Sequence, residues 1–131
     1  MKLITIMTAA ILTVSVASSN DVMKKSMSIM TEGMGQIQQG FLHNNLELIK
    51  SGTQLVKDGN KMFSDKKVIA QYMPDDKKHM INVAENAAKR IDLDVSVLEL
   101  NLDDKAYINA ANAYSDILNA CARCHSIVRS W

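Results

Sequence analysis

The chain has 131 residues, a formal net charge of +1, and charges of both signs interspersed along its length. This length is typical of one domain, and the absence of a basic stripe or an acidic tail argues against nucleic-acid binding. Only 5% of the residues are aromatic, whereas nine are Met. A small core with so few aromatic side chains suggests that the protein is stabilised by a covalent cross-link or a prosthetic group.

The first 19 residues, MKLITIMTAAILTVSVASS, have the features of a secretory signal peptide. Lys2 provides the basic start, an apolar run follows, and Ala17 and Ser19 are the two candidate cleavage positions. The apolar run is shorter than the roughly 20 residues that a membrane-spanning helix needs, which disfavours an uncleaved anchor. We therefore expect a signal peptide at residues 1–19 and an exported domain at residues 20–131 that does not span the membrane.

After this segment, apolar residues recur three and four residues apart, which predicts helices. The first helix is predicted from about Asp21 to Phe41. Its apolar stripe consists of Met23, Met27, Met30, Met34, Ile37 and Phe41. Gly40 is expected to help end this helix. Close contacts or bends are expected at the glycines inside the helices, where each costs about 1 kcal/mol relative to Ala. These are Gly33, Gly35, Gly52 and Gly59.

Three further helices are predicted. The second begins after Asn44 or Asn45, either of which is a suitable N-cap. Its inner face is formed by Leu46, Ile49, Thr53, Val56 and Phe63. The segment SDKKVIAQYM either extends this helix or forms a short turn.

Pro74 suits the first turn of the third helix. The stripe of that helix is Met80, Ala84, Ala87, Ile91, Val95 and Leu98. The segment ELNLDD is interpreted as a break, after which the fourth helix opens near Asp103.

Four amphipathic helices and no strands predict an all-α fold. An antiparallel up-down-up-down four-helix bundle is the simplest way to pack them, and such bundles build cofactor sites between facing helices.

Both cysteines of the chain lie in the sequence CARCH, at Cys121 and Cys124, and His125 follows directly. Residues i, i+3 and i+4 share one face of a helix, so these side chains are expected to point the same way. A thioredoxin-like redox pair would stand at a helix N-terminus after a strand, which is not predicted here. A zinc site would need a fourth ligand, for which His43 and His79 are the candidates. A lone disulfide is disfavoured by the i, i+3 geometry, and two buried thiols are a further alternative.

Covalent haem attachment agrees best with the sequence, because C-x-x-C-H is its recognised signature. The two thiols add across two vinyl groups at one edge of the porphyrin, and the next residue places an imidazole beneath the iron. Export and the absence of other cysteines agree with this interpretation. The motif therefore predicts one haem c, bound covalently by Cys121 and Cys124, with His125 as the proximal iron ligand.

A C-x-x-C-H motif in the last helix of an exported four-helix chain resembles the class II c-type cytochromes, the cytochrome c-prime family. Two segments carry the resemblance: CARCHSIVR, with Arg129 four residues after the histidine, and the Met-rich MSIMTEGMGQI. The resemblance implies that Met27 is the distal iron ligand of a low-spin member and that Arg129 lies near the haem. Met23, Met30 or no methionine are the alternatives for the distal position. Lys24 is the candidate for pairing with a haem propionate.

The resemblance implies an electron-transfer protein of the bacterial periplasm with a His/Met-ligated haem, acting with periplasmic redox proteins. Arg123 and Arg129 could dock an acidic partner. A homodimer through the first two helices is also implied. We do not expect an enzyme, since no Ser/His/Asp or paired-carboxylate arrangement stands out. The alternatives are a five-coordinate haem protein that binds NO or CO, and a haem-free bundle with a metal or disulfide at CARCH.

Overall fold

The computed structural model describes residues 19–129, so that residues 1–18 of the predicted signal peptide lie outside the described residues, as do residues 130 and 131. The described part is helical and contains no strand, which confirms the all-α prediction. Its helices are α1 (Ser19–Leu42), α2 (Leu46–Phe63), α3 (Lys66–Tyr72), α4 (Ile81–Asp103) and α5 (Tyr107–Val128), with a 3-10 helix at Asp75–Met80. None of the described helices is both long and apolar enough to cross a membrane.

The helices pack as two close pairs, α1 with α2 and α4 with α5, which are joined where α2 contacts α4. The centre of the core is formed by side chains such as Ile37, Leu98 and Ile117, each of them fully buried. A second cluster lies where α3 contacts α4, and it places Phe63 and Cys124 in the same apolar environment. Burying this apolar face of each helix supplies the main favourable free energy of folding.

Glycines bring the backbones of α1 and α2 into direct contact. A Cβ atom on Gly52 would lie 2.5 Å from the carbonyl oxygen of Gly33, and one on Gly40 would lie 2.5 Å from Cγ1 of Ile49. A Cβ atom on Gly59 would lie 2.5 Å from a methionine side chain of α1. The end of α1 thus meets the start of α2, and the middle of α1 meets the middle of α2, so the two helices run antiparallel.

The structure differs from the predictions made for Gly35 and Gly40. Gly35 is exposed and a Cβ atom there would meet nothing within 4 Å, so the predicted close contact is wrong at this position. Gly40 lies inside α1, and the chain leaves the helix at Asn44, which adopts a φ of 52°. The N–H of Asn45 donates to the Gly40 carbonyl at 2.8 Å, while its side chain accepts from the N–H of Leu48. Asn45 therefore ends α1 and caps α2, as predicted for the second role.

The segment SDKKVIAQYM forms a separate short helix, α3, rather than an extension of α2. The side chain of Asp65 starts it by accepting the N–H of Lys67 at 2.6 Å. Pro74 does not open the third long helix directly. The 3-10 helix Asp75–Met80 follows it, and α4 begins only at Ile81.

The predicted break at ELNLDD is wrong. The helix α4 continues through this segment to Asp103, and α5 begins at Tyr107 instead of near Asp103. The chain turns at Lys105, which adopts a φ of 57°, and the N–H of Ala106 donates to the carbonyl of Asn101 at 2.8 Å. This arrangement satisfies the last carbonyl groups of α4 without a glycine, which is why no turn signal marks it in the sequence.

We predict that Gly52→Ala will destabilise the fold by about 2 kcal/mol or more, because the new methyl group meets the backbone of α1. The matched control is Gly35→Ala, which adds the same methyl group to an open helical position and should stabilise by roughly 0.5–1 kcal/mol. Urea unfolding followed by circular dichroism measures both. Equal effects of the two substitutions would contradict the close contact between α1 and α2.

Candidate functional site

A cavity of about 240 Å³ lies between α1 and α5. The helix α1 lines it with Met27, Met30 and Met34, and α5 lines it with Cys121, Cys124 and His125. Phe63 of α2 and Ala88 and Ile91 of α4 complete the apolar wall. The i, i+3, i+4 spacing of the two cysteines and the histidine thus places all three on one cavity, as the sequence predicts.

A second cavity, of about 250 Å³, adjoins the first and shares four of its lining residues. The shared residues are Met27, Phe63, Cys124 and His125. Its other walls include Lys24 from α1, Tyr72 from α3 and Arg129 at the end of α5. The two cavities therefore form one cleft, with an apolar interior and two cationic side chains at one end.

The two thiols of the site are free, and their environment keeps them protonated. Cys124 is 7% exposed, and burial together with the neighbouring Cys121 raises the pKa of its thiol to about 11. Burial also raises the pKa of Cys121, which is half-buried. A thioredoxin-like pair needs a lowered thiol pKa, so the environment disfavours that alternative.

The imidazole of His125 is half-buried beside the cysteines. Burial lowers the pKa of this imidazole, and the charge of Arg129 lowers it further. The backbone N–H of Arg129 donates to the His125 carbonyl at 2.8 Å, which holds the last turn of α5 in place. His125 is therefore neutral at neutral pH, and the neutral ring is the form that binds a metal.

Only one methionine of the described part lines both cavities, and it is Met27. Met23 lines the second cavity alone. Met30 is 5% exposed, and its sulfur accepts a contact from the hydroxyl of Ser26 at 3.8 Å, so it is held within the α1–α2 contact. Of Met23, Met27 and Met30, Met27 is therefore the one that shares both cavities with His125.

The two other histidines lie away from the cleft on the surface. The ring of His43 hydrogen-bonds Gln39 at 3.0 Å, and His79 is exposed within the 3-10 helix. Among residues 19–129, no group of three or more His, Cys, Asp or Glu side chains is arranged to hold a metal ion. Neither histidine supplies the fourth ligand that the zinc alternative requires.

Phe63 and Tyr72 are among the residues of the cleft that the sequence did not assign to the site. Phe63 is 3% exposed and lies on the predicted inner face of α2, but the sequence does not show that it contacts α5. Tyr72 is the last residue of α3, and it reaches the cleft because α3 packs against α1. Its hydroxyl accepts the backbone N–H of Met23 at 3.2 Å. This bond fixes the start of α1 against α3 at the cationic end of the cleft.

No protein-family model matches the chain, and none of the curated proteins or solved structures compared with it matches either. The resemblance to class II c-type cytochromes therefore depends on the quoted residues. A functional assignment has to be argued from the side chains that line the cleft.

We predict that alkylation of Cys124 in the haem-free chain will keep accelerating until a pH of about 11, since the thiolate is the reactive form. Trypsin cleaves after Arg123 and so places the two cysteines on different peptides, and mass spectrometry of these peptides after iodoacetamide labelling gives the rate for Cys124 alone. In urea the alkylation rate of the same thiol should level off near the ordinary cysteine pKa of about 8.5. A plateau below neutral pH in the native chain would indicate an activated thiolate and favour the redox-pair alternative.

Proposed function

We propose that the protein is a c-type cytochrome of the bacterial periplasm that transfers electrons through one covalently bound haem, with His125 and Met27 as iron ligands. The observation that carries this proposal is the lining of one cleft by Cys121, Cys124 and His125 from α5 and by Met27 from α1. When bound, a haem supplies one-electron chemistry at its iron.

The residues of the cleft fit such a group. Each cavity is smaller than a typical cofactor pocket of roughly 300–1,000 Å³, but the two share a wall and together reach this range. The lining is apolar, and the small side chains of Ala88 and Ala122 leave room near the cysteines. The protonated thiols of Cys121 and Cys124 lie where they could hold the group covalently.

The two proposed iron ligands favour electron transfer over gas binding. His125 offers a neutral imidazole, and Met27 offers a soft, neutral thioether that raises the reduction potential of a haem iron. If both residues bound the iron, its coordination number would stay the same in both oxidation states, and an electron could be transferred with little rearrangement of the protein. A cleft without a ligating methionine would support the alternative of an open, gas-binding iron.

The cationic end of the cleft suits the carboxylates of a haem. Lys24 and Arg129 line the second cavity, and neither forms an ion pair with the described residues. Tyr72 lines the same cavity, and because its oxygen accepts the Met23 N–H, its hydroxyl proton is left for donation. We assign Lys24 and Arg129 to propionate binding, and Arg129 with the exposed Arg123 to the docking of an acidic periplasmic redox partner.

The proposal extends to the topology of the domain. The antiparallel contact of α1 with α2 and the close pairing of α4 with α5 suit an up-down-up-down bundle, in which α3 and the 3-10 helix form the crossing from α2 to α4. In this arrangement the cleft lies between the first and last long helices, where four-helix bundles commonly hold cofactors.

The decisive experiment is expression of the full chain in a bacterium with and without the c-type cytochrome maturation machinery. With it, the periplasmic product should lack its signal peptide, carry the mass of one haem and stain for haem peroxidase on a denaturing gel. The Cys121→Ala, Cys124→Ala double variant is the control and should not retain the stain. A wild-type product without added mass would refute the proposal.

We predict that Met27→Ala will convert the low-spin visible spectrum into a high-spin one and will allow carbon monoxide to bind, because it removes the sixth ligand. Met34→Ala, two helical turns further along α1 and lining only the first cavity, is the matched control and should keep the low-spin spectrum. Should the wild-type protein itself be high-spin and the Met27→Ala spectrum be unchanged, the gas-binding alternative would replace electron transfer.

We predict that Arg129→Gln will lower the reduction potential, since loss of a nearby positive charge favours the more positive, oxidised iron. The expected change is on the order of 20 mV at low ionic strength. Lys50→Gln removes an exposed charge near the start of α2, away from the cleft, and should leave the potential unaltered. Redox titration followed by visible absorbance measures both, and an equal change in the two variants would refute the placement of Arg129 near the haem.

A further inference from the structure

A seven-residue repeat of small side chains brings α1 and α2 together. In α1 the repeat consists of Ser26, Gly33 and Gly40, and in α2 it includes Gly52 and Gly59. A Cβ atom on Gly59 would lie 3.0 Å from the backbone oxygen of Ser26, so these two residues face each other as Gly33 and Gly52 do. Because a seven-residue repeat keeps one seam of two helices in contact, these positions set the register of α1 against α2.

Ser26 differs from the glycines of the repeat because it carries a hydroxyl group. The residue is 0% exposed, and its Oγ donates to the carbonyl oxygen of Gly59 at 2.7 Å. The sulfur of Met30 lies 3.8 Å from the same Oγ. A hydroxyl group removed from water costs free energy unless it is hydrogen-bonded, and Ser26 finds its acceptor on the neighbouring helix. The bond therefore adds a directional contact to the close packing of α1 on α2.

The turn of α1 that contains Ser26 also contains Met27, the proposed distal ligand. Successive residues of an α-helix point about 100° apart, so a Ser26 directed at α2 turns Met27 away from α2. Met27 lines both cavities of the cleft, and the first of them lies between this helix and α5. The direction of the Met27 side chain is therefore set from the α2 side of the helix.

Other hydrogen bonds hold the backbone on either side of Met27. The hydroxyl of Thr31 donates to the carbonyl of Met27 at 2.7 Å, and the hydroxyl of Tyr72 accepts the N–H of Met23 at 3.2 Å. The first of these bonds stays within α1, and the second joins α3 to the helix one turn before Met27. Ser26 instead joins the turn of Met27 itself to a neighbouring helix, so its bond bears most directly on where the thioether points.

We propose that Ser26 is the positioning residue of the distal ligand, and that its hydrogen bond to Gly59 keeps the Met27 thioether directed into the cleft that it shares with His125. This inference rests on the proposed function, because it concerns how firmly Met27 binds the iron. The residues that line the two cavities include Met27 but not Ser26, so Ser26 acts through the helix and not by contact with the haem.

The test compares the carbon monoxide affinity of the reduced, haem-loaded protein with that of Ser26→Ala. Carbon monoxide has to displace Met27, so a less firmly held Met27 should raise this affinity. The expected rise is roughly three- to tenfold, the factor that corresponds to one hydrogen bond of typical strength. Ser26→Gly also lacks the hydroxyl and matches the glycines at the equivalent positions of the repeat. It should raise the affinity at least as much, and it provides a second variant that keeps the close packing.

Thr53→Val is the matched control for loss of a buried hydroxyl. Thr53 is 1% exposed in α2, and its hydroxyl donates to the carbonyl of Ile49 at 2.8 Å. Its side chain lines a groove with Glu99 and Leu102 of α4, away from the cleft. The substitution keeps the shape of the side chain and should leave the carbon monoxide affinity unaltered, whatever its effect on the midpoint of urea unfolding. A rise of equal size in both variants would show that Ser26 acts only through overall stability, and it would overturn the proposal.

A double-variant cycle with Met27→Ala separates the role of Ser26 from the ligand assignment. In the Met27→Ala background, Ser26→Ala should have no further effect on carbon monoxide affinity, because no thioether remains to be displaced. An undiminished effect there overturns the positioning role. If Met27→Ala raises the affinity and Ser26→Ala does not, the role of Ser26 is refuted and the proposed function stands. A chain without haem, or a Met27→Ala variant with the wild-type affinity, refutes the proposed ligation and the role of Ser26 with it.

Discussion

The contact between α1 and α2 determines how the rest of the site is arranged. Because Gly33 and Gly52 carry no side chains, the two backbones meet directly, and α1 is held close to α2. Its methionines are divided as a result. Met30 packs against Gly59 of α2 and lines only the first cavity, whereas Met27 lines both cavities of the cleft. The cleft is therefore a consequence of the tight packing on the opposite side of α1.

Burial sets the chemistry of the groups in the cleft. Removal from water disfavours the charged form of a side chain, so that the cysteine thiols stay protonated and the His125 ring stays neutral. Charged side chains are restricted to one end, where Lys24 and Arg129 reach solvent. An apolar interior with uncharged sulfur and nitrogen donors and a cationic end suits the haem that we propose.

The surface divides into regions of different character. The outer faces of α1 and α2 are polar apart from Leu42, and the cationic residues Lys24 and Arg129 line the cleft. The exposed apolar residues Leu93, Val97 and Leu100 lie on the side of α4 away from the cleft.

The helical character of the chain and the shared face of Cys121, Cys124 and His125 could be predicted from the sequence, because both follow from a period of 3.6 residues within one helix. Helix ends were less predictable. Lys105 ends α4 in a left-handed conformation through backbone hydrogen bonds that leave no mark on composition. Periodicity shows which side of a helix is buried but not which neighbour covers it. Only the tertiary packing placed Met27 on both cavities and Met30 on one, and brought Phe63 to the cysteines, because those contacts join residues far apart in the chain.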